Sequence, residues 1–277
     1  MTAPSRYLKK SSMVLSSLTL PVIFGCAKPG DSAQIKSSVR PTSSFHGNAN
    51  GSVLIFDGDS IWNSEVDSLA TTLQSHQMSY EEVDSKGLDE MPLDQLTSFG
   101  ALVVPGGYAP TITASLSAQT HAKLREAVQV RGMSYLGFCA GAWLAVAPAP
   151  AAGQDVAYGV GLVDGPVLQE NYLEKQGLEF KIVQVEFPGG AKRDLLWYGG
   201  PITPEAPGGV VARYPDGTAA ITQVHSGQGF VTLSGLHPTA TPAILGVLGL
   251  SDPDAVAPDL SWQLLDSTLR QSPLPTY

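Results

Sequence analysis

Four predicted strands, three of them short apolar runs, are separated by stretches of helical periodicity and constrain the fold of this chain most strongly. Runs that are apolar throughout are typical of parallel strands buried on both faces of a sheet. The intervening segments space their apolar side chains as a helix does, for example Val66, Leu69 and Leu73 after a predicted N-cap at Ser64. This alternation predicts an α/β fold with a doubly wound, mostly parallel sheet. The four predicted strands are residues 52–57, 78–83, 101–104 and 134–138.

The second half of the chain changes character. Its apolar runs alternate with polar residues, and turn sequences such as Pro215-Asp216-Gly217 join the later ones. This pattern predicts antiparallel hairpins added to the parallel sheet, so that residues 51–277 form a single domain. The predicted strands are 180–186, 195–198, 209–214, 218–224 and 229–234, and the predicted helices outside the first are 117–131, 140–147, 241–249 and 259–270.

The N-terminal segment has the composition of an export signal. Residues 1–26 combine basic residues with a short apolar run, and the run ends in Ile23-Phe24-Gly25-Cys26. This ending resembles a bacterial lipobox, which implies lipidation of Cys26 and attachment to a membrane facing the periplasm. Ala27 resembles the outer-membrane sorting pattern of Gram-negative lipoproteins. Residues 27–50 are rich in Ser, Gly and Pro and predict a flexible tether.

Composition excludes several classes of function. The net charge of −9 and a pI near 4.9 argue against a nucleic-acid partner. The chain has only two cysteines, which excludes a disulfide-rich scaffold and a cysteine-rich zinc site. The five histidines show no paired spacing, so we expect neither a metal site nor a cofactor.

The chemistry is predicted at the end of the fourth predicted strand. There Cys139 lies between a buried strand and a helix, flanked by Gly137, Phe138, Ala140 and Gly141. A nucleophile elbow has this arrangement, because small neighbours allow the chain to turn sharply around the reactive residue. The helix N-terminus favours the thiolate, so we expect the pKa of Cys139 to fall. The alternative is a buried structural cysteine, which is common.

A thiolate that attacks a carbonyl also needs a base and donors for the oxyanion. His237 follows an apolar strand and is preferred as the base over His225, which precedes a hairpin turn. Gly106 and Gly107, after the third predicted strand, are predicted to supply backbone N–H groups. His46, His76 and His121 are most simply exposed. Trp62 and Trp143 could stack on a ligand, although such aromatics usually belong to the core or its rim.

These motifs together carry a family resemblance. Pro105-Gly106-Gly107, the block around Cys139, and Leu236-His237-Pro238 resemble the ordered signature of class I glutamine amidotransferase-like domains, which have a flavodoxin-like sheet. The addition of Leu196-Trp197-Tyr198-Gly199-Gly200-Pro201 resembles, more specifically, the N-terminal domain of biotin-protein ligases and its free-standing bacterial relatives. The resemblance implies Cys139 as nucleophile, His237 as base, Gly106, Gly107 and Ala140 in the oxyanion region, and Tyr198, Gly199 and Gly200 in the pocket wall.

Two departures from the family pattern affect the predicted function. Thr239 stands where the amidotransferase triad has its acid, so another carboxylate, for example Asp57, Asp59 or Glu186, is needed to orient the imidazole. The chain also lacks the biotinyl-adenylate loop of a ligase, so biotin ligation is not expected. Ammonia delivery is disfavoured because an exported domain has no synthase partner.

Three functions therefore remain open from the sequence. The first is a cysteine-dependent amidase or acyl transferase that acts on a small amide or peptide-like compound at the membrane surface. The second is a binding module without turnover, in which Thr239 marks a degenerate triad. The third is a thiol that senses oxidants.

Overall fold

The computed structural model describes residues 51–146, 159–164 and 171–277, and these residues contain a nine-stranded sheet. The predicted signal, the tether, Cys26 and His46 lie outside the described residues. Along the sheet the strands follow the order β2-β1-β3-β4-β9-β8-β7-β5-β6. The strands are β1 (Val53–Phe56), β2 (Tyr80–Val83), β3 (Ala101–Val104), β4 (Ser134–Phe138), β5 (Phe180–Glu186), β6 (Lys192–Tyr198), β7 (Val210–Arg213), β8 (Ala219–Ser226) and β9 (Gly229–Ser234).

The first five strands of this order, β2-β1-β3-β4-β9, are all parallel. Counted within the parallel part, the order is 2-1-3-4-5, which is that of flavodoxin-like doubly wound folds. Every residue of β1, β3 and β4 is buried, as expected for strands with helices on both faces. The predicted fold class is therefore confirmed.

The remaining strands form the predicted antiparallel extension. β8 pairs with β9 and β7, and β5 pairs with β6 over seven residues, but β5 meets β7 through a single pair, Glu186 and Arg213. The β5–β6 hairpin therefore extends the sheet beyond β7 while staying attached to it by few backbone contacts. β6 begins at Lys192, three residues earlier than the sequence pattern predicts.

The helices are α1 (Asn63–Ser75), α2 (Ser85–Glu90), α3 (Leu93–Leu96), α4 (Ala109–Ser115), α5 (Ala118–Arg125), α6 (Ala140–Ala145), α7 (Tyr172–Lys175), α8 (Pro242–Val247) and α9 (Pro258–Leu269). The predicted cap of α1 at Ser64 is wrong, because the N-cap is Trp62, two residues earlier, and its side chain forms no capping bond. The predicted helix over 117–131 is α5 followed by a π-helical turn, Glu126–Val130. Helices α2, α3, α4 and α7 were not predicted from the sequence.

The parallel strands place their carboxyl ends at one edge of the sheet. Asp57, Pro105, Cys139 and Gly235 each follow directly after one of these strands, so the loops that begin there share one crevice. None of the described helices is long and apolar enough to cross a membrane.

Candidate functional site

The backbone of Cys139 makes the sharp turn that the sequence predicts between β4 and α6. Its dihedral angles are φ 47° and ψ −101°, in a region that residues with a side chain rarely occupy. Such a conformation costs on the order of 1–3 kcal/mol and persists where its surroundings enforce it. The Cys139 N–H donates to the Ser234 carbonyl at 2.7 Å, which ties the elbow to β9.

The glycines beside Cys139 are required by close backbone contacts. A Cβ atom on Gly137 would overlap the backbone of Gly141, and one on Gly141 would overlap the carbonyl of Val104 on β3. Because α6 runs directly over the ends of β3 and β4, a side chain at either position would push the helix away. This packing explains the small residues around the cysteine.

His237 is fixed on both its backbone and its ring. Its N–H donates to the Leu196 carbonyl of β6 at 2.9 Å, so the segment after β9 is held against the antiparallel extension. The ring nitrogen Nδ1 lies 2.5 Å from Oε1 of Glu65, and both side chains are completely buried. This pair joins the end of the sheet to the first turn of α1.

Glu65 is the carboxylate that orients the imidazole. Its second oxygen, Oε2, accepts the Gly106 N–H at 2.6 Å. Burial raises the pKa of Glu65, but the charge of His237 and the hydrogen bonds from His237 and Gly106 outweigh this effect, so its pKa lies below the usual 4.5. The hydroxyl of Thr239 is buried and has no hydrogen-bond partner, so Thr239 does not take the place of the acid.

The structure corrects two expectations from the sequence. The orienting acid is Glu65, not Asp57, Asp59 or Glu186. The Gly106 N–H is committed to Glu65, so it does not belong to the oxyanion region. A signal for Glu65 was present, because it precedes Leu69 by four residues and therefore places a carboxylate on the apolar stripe of α1.

The Gly107 and Ala140 amides lie at the ends of β3 and β4. Gly107 faces Ile61 across a backbone bridge, and a Cβ atom there would overlap the Ser60 carbonyl. Ala140 is the first residue of α6, where N–H groups have no partner within the helix. These two positions remain the predicted oxyanion donors.

The other ring nitrogen of His237, Nε2, is buried and has no hydrogen-bond partner. Buried polar atoms in proteins nearly always form a hydrogen bond. An Nε2 atom without one, on a histidine that is held by a carboxylate, is typical of a site that binds a substrate. An imidazole with Nδ1 on a carboxylate and Nε2 unengaged is arranged to exchange a proton at Nε2.

The sulfur of Cys139 lies 3.3 Å from the backbone carbonyl of Tyr198, at the end of β6. The side chain is completely buried. Cys139 is disulfide-bonded in the structure and is not a free thiol. Nucleophilic chemistry at this residue therefore requires reduction and access to the sulfur.

The Trp-Tyr-Gly-Gly-Pro block holds the His237 segment in place. The Trp197 indole donates to the Gly200 carbonyl at 2.9 Å, and a Cβ atom on Gly200 would overlap the carbonyl of Gly235, two residues before His237. Tyr214 donates its hydroxyl to the Pro201 carbonyl at 3.1 Å. The block therefore has a structural role that the sequence did not reveal, while Tyr198 and Gly199 face the elbow.

Two half-buried aromatic rings lie beside these groups. The Trp62 ring stacks on the imidazole of His237 with centroids 4.8 Å apart and 14° between the planes. Its centroid is 4.9 Å from that of Tyr198. Trp143 is buried in the core, and its indole nitrogen lies 3.5 Å from the carbonyl of Gly199.

The other described histidines lie apart from the site. His225 and His76 are exposed, as expected, and His76 stacks on Trp262. The expectation of an exposed His121 is wrong, because its ring is half-buried and burial lowers its pKa. Among the residues that the structure describes, no group of three or more His, Cys, Asp and Glu side chains has the geometry of a metal site.

The comparison with protein families covers the first part of the chain, which contains Glu65 and Cys139 but not His237. Residues 51–154 match the family model of the N-terminal domain of biotin-protein ligases. The resemblance inferred from the motifs is confirmed over this part of the chain. No curated protein sequence matches the chain.

Solved structures with a similar course of the chain come from different proteins. A cytoplasmic protein of Salmonella typhimurium LT2, STM1381, has 10% identity and a TM-score of 0.48, with 80% of this chain and 100% of that chain covered. A ThuA-like protein of Bacteroides uniformis has 10% identity and a TM-score of 0.44, covering 84% and 95%. The exo-beta-1,4-mannosidase Op5Man5 of an Opitutaceae bacterium has 12% identity and a TM-score of 0.38, covering 81% of this chain and 36% of that chain. The chain thus spans about a third of the mannosidase, and likenesses at this level indicate nothing about activity.

Proposed function

We propose that this domain is a cysteine-dependent amidase or acyl transferase. Cys139 is the nucleophile, His237 the general base and acid, and Glu65 the residue that positions the imidazole. The observation that carries the proposal is the buried Glu65–His237 pair, whose Nε2 has no hydrogen-bond partner. His237 lies three residues beyond β9, the strand to which the Cys139 N–H is hydrogen-bonded. The three roles are those of a catalytic triad, which is recognised by geometry rather than by chain order.

The proposed reaction proceeds in two balanced steps. The Cys139 thiol gives its proton to Nε2 of His237 while the sulfur forms a bond to the amide carbon. The C–N bond then breaks, and the leaving amine takes the proton from the imidazolium. Water or another acceptor cleaves the resulting thioester, with Nε2 again accepting a proton, and the thiol is restored.

The surroundings support the charges that develop in these steps. Glu65 stabilises the imidazolium through Nδ1. The backbone N–H groups of Gly107 and Ala140 are the proposed donors to the oxyanion, and each such donor contributes about 10²–10³ in rate in enzymes of this kind. The finding that Glu65 supplies a carboxylate removes the argument that Thr239 marks a degenerate triad.

The proposed setting is the surface of a membrane. The motif that ends at Cys26 supports lipidation of that residue, and the composition of 27–50 supports a tether to the folded domain. A lipid-bearing Cys26 cannot form a disulfide, so the proposal concerns the protein in which Cys139 is a reduced thiol. In a Gram-negative cell we propose attachment to the outer membrane, facing the periplasm. The proposed substrate is a small amide or peptide-like compound, and biotin ligation is not proposed.

Alkylation of the reduced protein tests the proposed site. In a Cys26→Ala background, the rate of iodoacetamide modification of Cys139 reports the thiolate alone. We expect rapid modification well below pH ~8.5, the range of an ordinary thiol, and slower modification in His237→Ala. Glu81→Gln, an exposed carboxylate on β2, is the matched control and should leave the rate unchanged. An unreactive thiol, or one unaffected by His237→Ala, would contradict the proposal.

A binding module without turnover is the second candidate. The observation that favours it is the complete burial of both Cys139 and His237. A reduced protein that binds small amides, as measured by calorimetry, but hydrolyses none of them in a coupled ammonia assay supports this candidate. Hydrolysis that is lost in Cys139→Ser excludes it.

A further inference from the structure

Three aromatic side chains form a continuous row that starts at His237. Trp62 stacks on the imidazole, Tyr198 lies next to Trp62, and Phe180 lies next to Tyr198. The Tyr198 and Phe180 centroids are 5.5 Å apart, with 56° between the rings. We refer to Trp62, Tyr198 and Phe180 as the aromatic row.

The aromatic row differs from the aromatic core of the domain. Trp197 and Tyr135 are completely buried, whereas the three rings of the row are half-buried and keep part of their surface exposed. On β6, successive side chains point to opposite faces, so Trp197 packs inward and Tyr198 faces the site. Trp62 occupies the N-cap of α1, where its carbonyl accepts hydrogen bonds from the helix but its indole ring forms no capping bond.

The row also lies against both reactive groups. Trp62 covers one face of the His237 ring, and the backbone carbonyl of Tyr198 is 3.3 Å from the sulfur of Cys139. A substrate whose carbonyl reaches Cys139 therefore places its adjacent group beside Trp62 and Tyr198. Aromatic faces bind planar rings more tightly than saturated rings of the same size, because offset stacking adds to the burial of apolar area.

We propose that the aromatic row is the specificity subsite and that the amide substrate carries an aromatic ring, without a negative charge, next to its scissile carbonyl. This inference rests on the proposed function, whose substrate class it defines. The charge near the aromatic row limits the class of substrate further. Tyr198 is partly buried and lies near the carboxylate of Glu179, and both its burial and this negative charge raise its pKa. A ring that bears a carboxylate is therefore disfavoured, because it would lie near the same negative charge.

Binding to a variant that does not turn over tests the subsite independently of catalysis. The probes are benzamide, cyclohexanecarboxamide and acetamide, and their dissociation constants for Cys139→Ser are measured by calorimetry. We expect benzamide to bind most tightly, and Trp62→Leu to weaken benzamide by roughly 3- to 10-fold while leaving acetamide unchanged. Trp62→Phe keeps a ring at this position and should restore part of the affinity, which separates loss of stacking from misfolding.

Two further variants sharpen the result. Trp262→Leu removes another partly buried tryptophan that stacks on a histidine, but on the α1–α9 contact, and serves as the matched control that should leave benzamide binding unchanged. Phe180→Ala should weaken 2-naphthamide, which reaches further along the row, more than benzamide. Equal affinity for benzamide and cyclohexanecarboxamide, or no effect of Trp62→Leu, overturns the inference.

The outcomes also separate this inference from the proposed function. If binding prefers aromatic rings and depends on Trp62, but the reduced wild-type protein hydrolyses no amide, the proposed subsite is supported and the proposed amidase activity is contradicted. Hydrolysis of acetamide and benzamide at equal kcat/KM, both lost in Cys139→Ser, leaves the amidase standing and rejects the subsite.

Discussion

His237 is held in place by contacts on two sides of its ring. Its ring has Glu65 on one nitrogen and Trp62 on one face, which leaves Nε2 as its free position. In the amidotransferase pattern the acid follows the histidine by two residues, whereas here it comes from α1, 172 positions earlier. The same orientation of the imidazole is therefore achieved from a different element of the fold.

Replacing Glu65 tests whether it positions the imidazole. We expect Glu65→Gln to lower kcat for amide hydrolysis by up to about 10⁴-fold with little change in KM, because the neutral amide no longer fixes the productive tautomer or stabilises the imidazolium. Glu65→Asp should recover part of the rate. The measurement is steady-state kinetics on the reduced protein, and a loss confined to KM would show that Glu65 binds substrate instead.

The lowered pKa of Glu65 predicts how stability depends on pH. Because its folded-state pKa lies below its usual value of 4.5, the unfolded chain binds this proton first as the pH falls. The stabilisation is fully present above about pH 4.5 and is lost as the pH falls through the folded-state pKa. We expect the difference in the free energy of unfolding between wild type and Glu65→Gln, measured with urea, to become smaller as the pH is lowered from about 6 to 3. A constant difference over that range would contradict this assignment.

Because the backbone at Cys139 is strained, we expect glycine to stabilise the folded protein relative to alanine at this position, which is the reverse of its usual effect. Glycine normally destabilises a folded chain relative to alanine by about 0.5–1 kcal/mol. At φ 47° and ψ −101° alanine keeps the strain, of order 1–3 kcal/mol, and glycine removes it. Cys139→Gly should therefore unfold at a higher temperature than Cys139→Ala. Calorimetry of the two variants decides it, and a less stable glycine variant would show that the elbow is unstrained.

At the level of elements, the sequence predicted the sheet better than the contacts of the site. The strands 101–104, 134–138, 180–186 and 229–234 were predicted to the residue, because each is an apolar or alternating run bounded by turn residues. The short helices α2, α3 and α4 have too few turns to show a period. Cys139 and His237 were indicated by their local motifs. Glu65 was missed because its role depends on a contact between segments far apart in the chain.

The Gly200–Gly235 contact predicts a cost for any side chain in the Trp-Tyr-Gly-Gly-Pro block. A Cβ atom on Gly200 would overlap the Gly235 carbonyl, so Gly200→Ala must move the segment that carries His237. We expect a loss of about 1–3 kcal/mol in the free energy of unfolding, typical of overpacking, together with reduced activity. Gly246→Ala is the control, because it lies in α8 with no atom within 4 Å and should be neutral or stabilising. Equal urea midpoints for the two variants would contradict this role.

At the level of the molecule, the site is assembled where the two halves of the sheet meet. The parallel half supplies the elbow after β4, and the His237 segment after β9 is hydrogen-bonded to β6 of the antiparallel extension. The extension therefore forms one wall of the site through Tyr198 and Phe180. A family that keeps the parallel half and varies the extension would keep the chemistry and change the substrate.

The proposed anchor predicts where the whole molecule is found. Removal of the basic signal changes the net charge from −9 to −12, so attraction to anionic lipids cannot hold the domain and attachment depends on the lipid on Cys26. In a Gram-negative host we expect the wild type in the membrane fraction, and Cys26→Ala in the soluble or unprocessed fraction. Cys139→Ser should remain with the membrane, which shows that attachment depends on Cys26 and not on Cys139.

The 24-residue tether has a root-mean-square reach of roughly 25–30 Å, so protease added to spheroplasts that retain outer membrane should release an intact domain. A Cys26→Ala variant that still fractionates with membranes would show that another contact, not the lipid, provides the attachment.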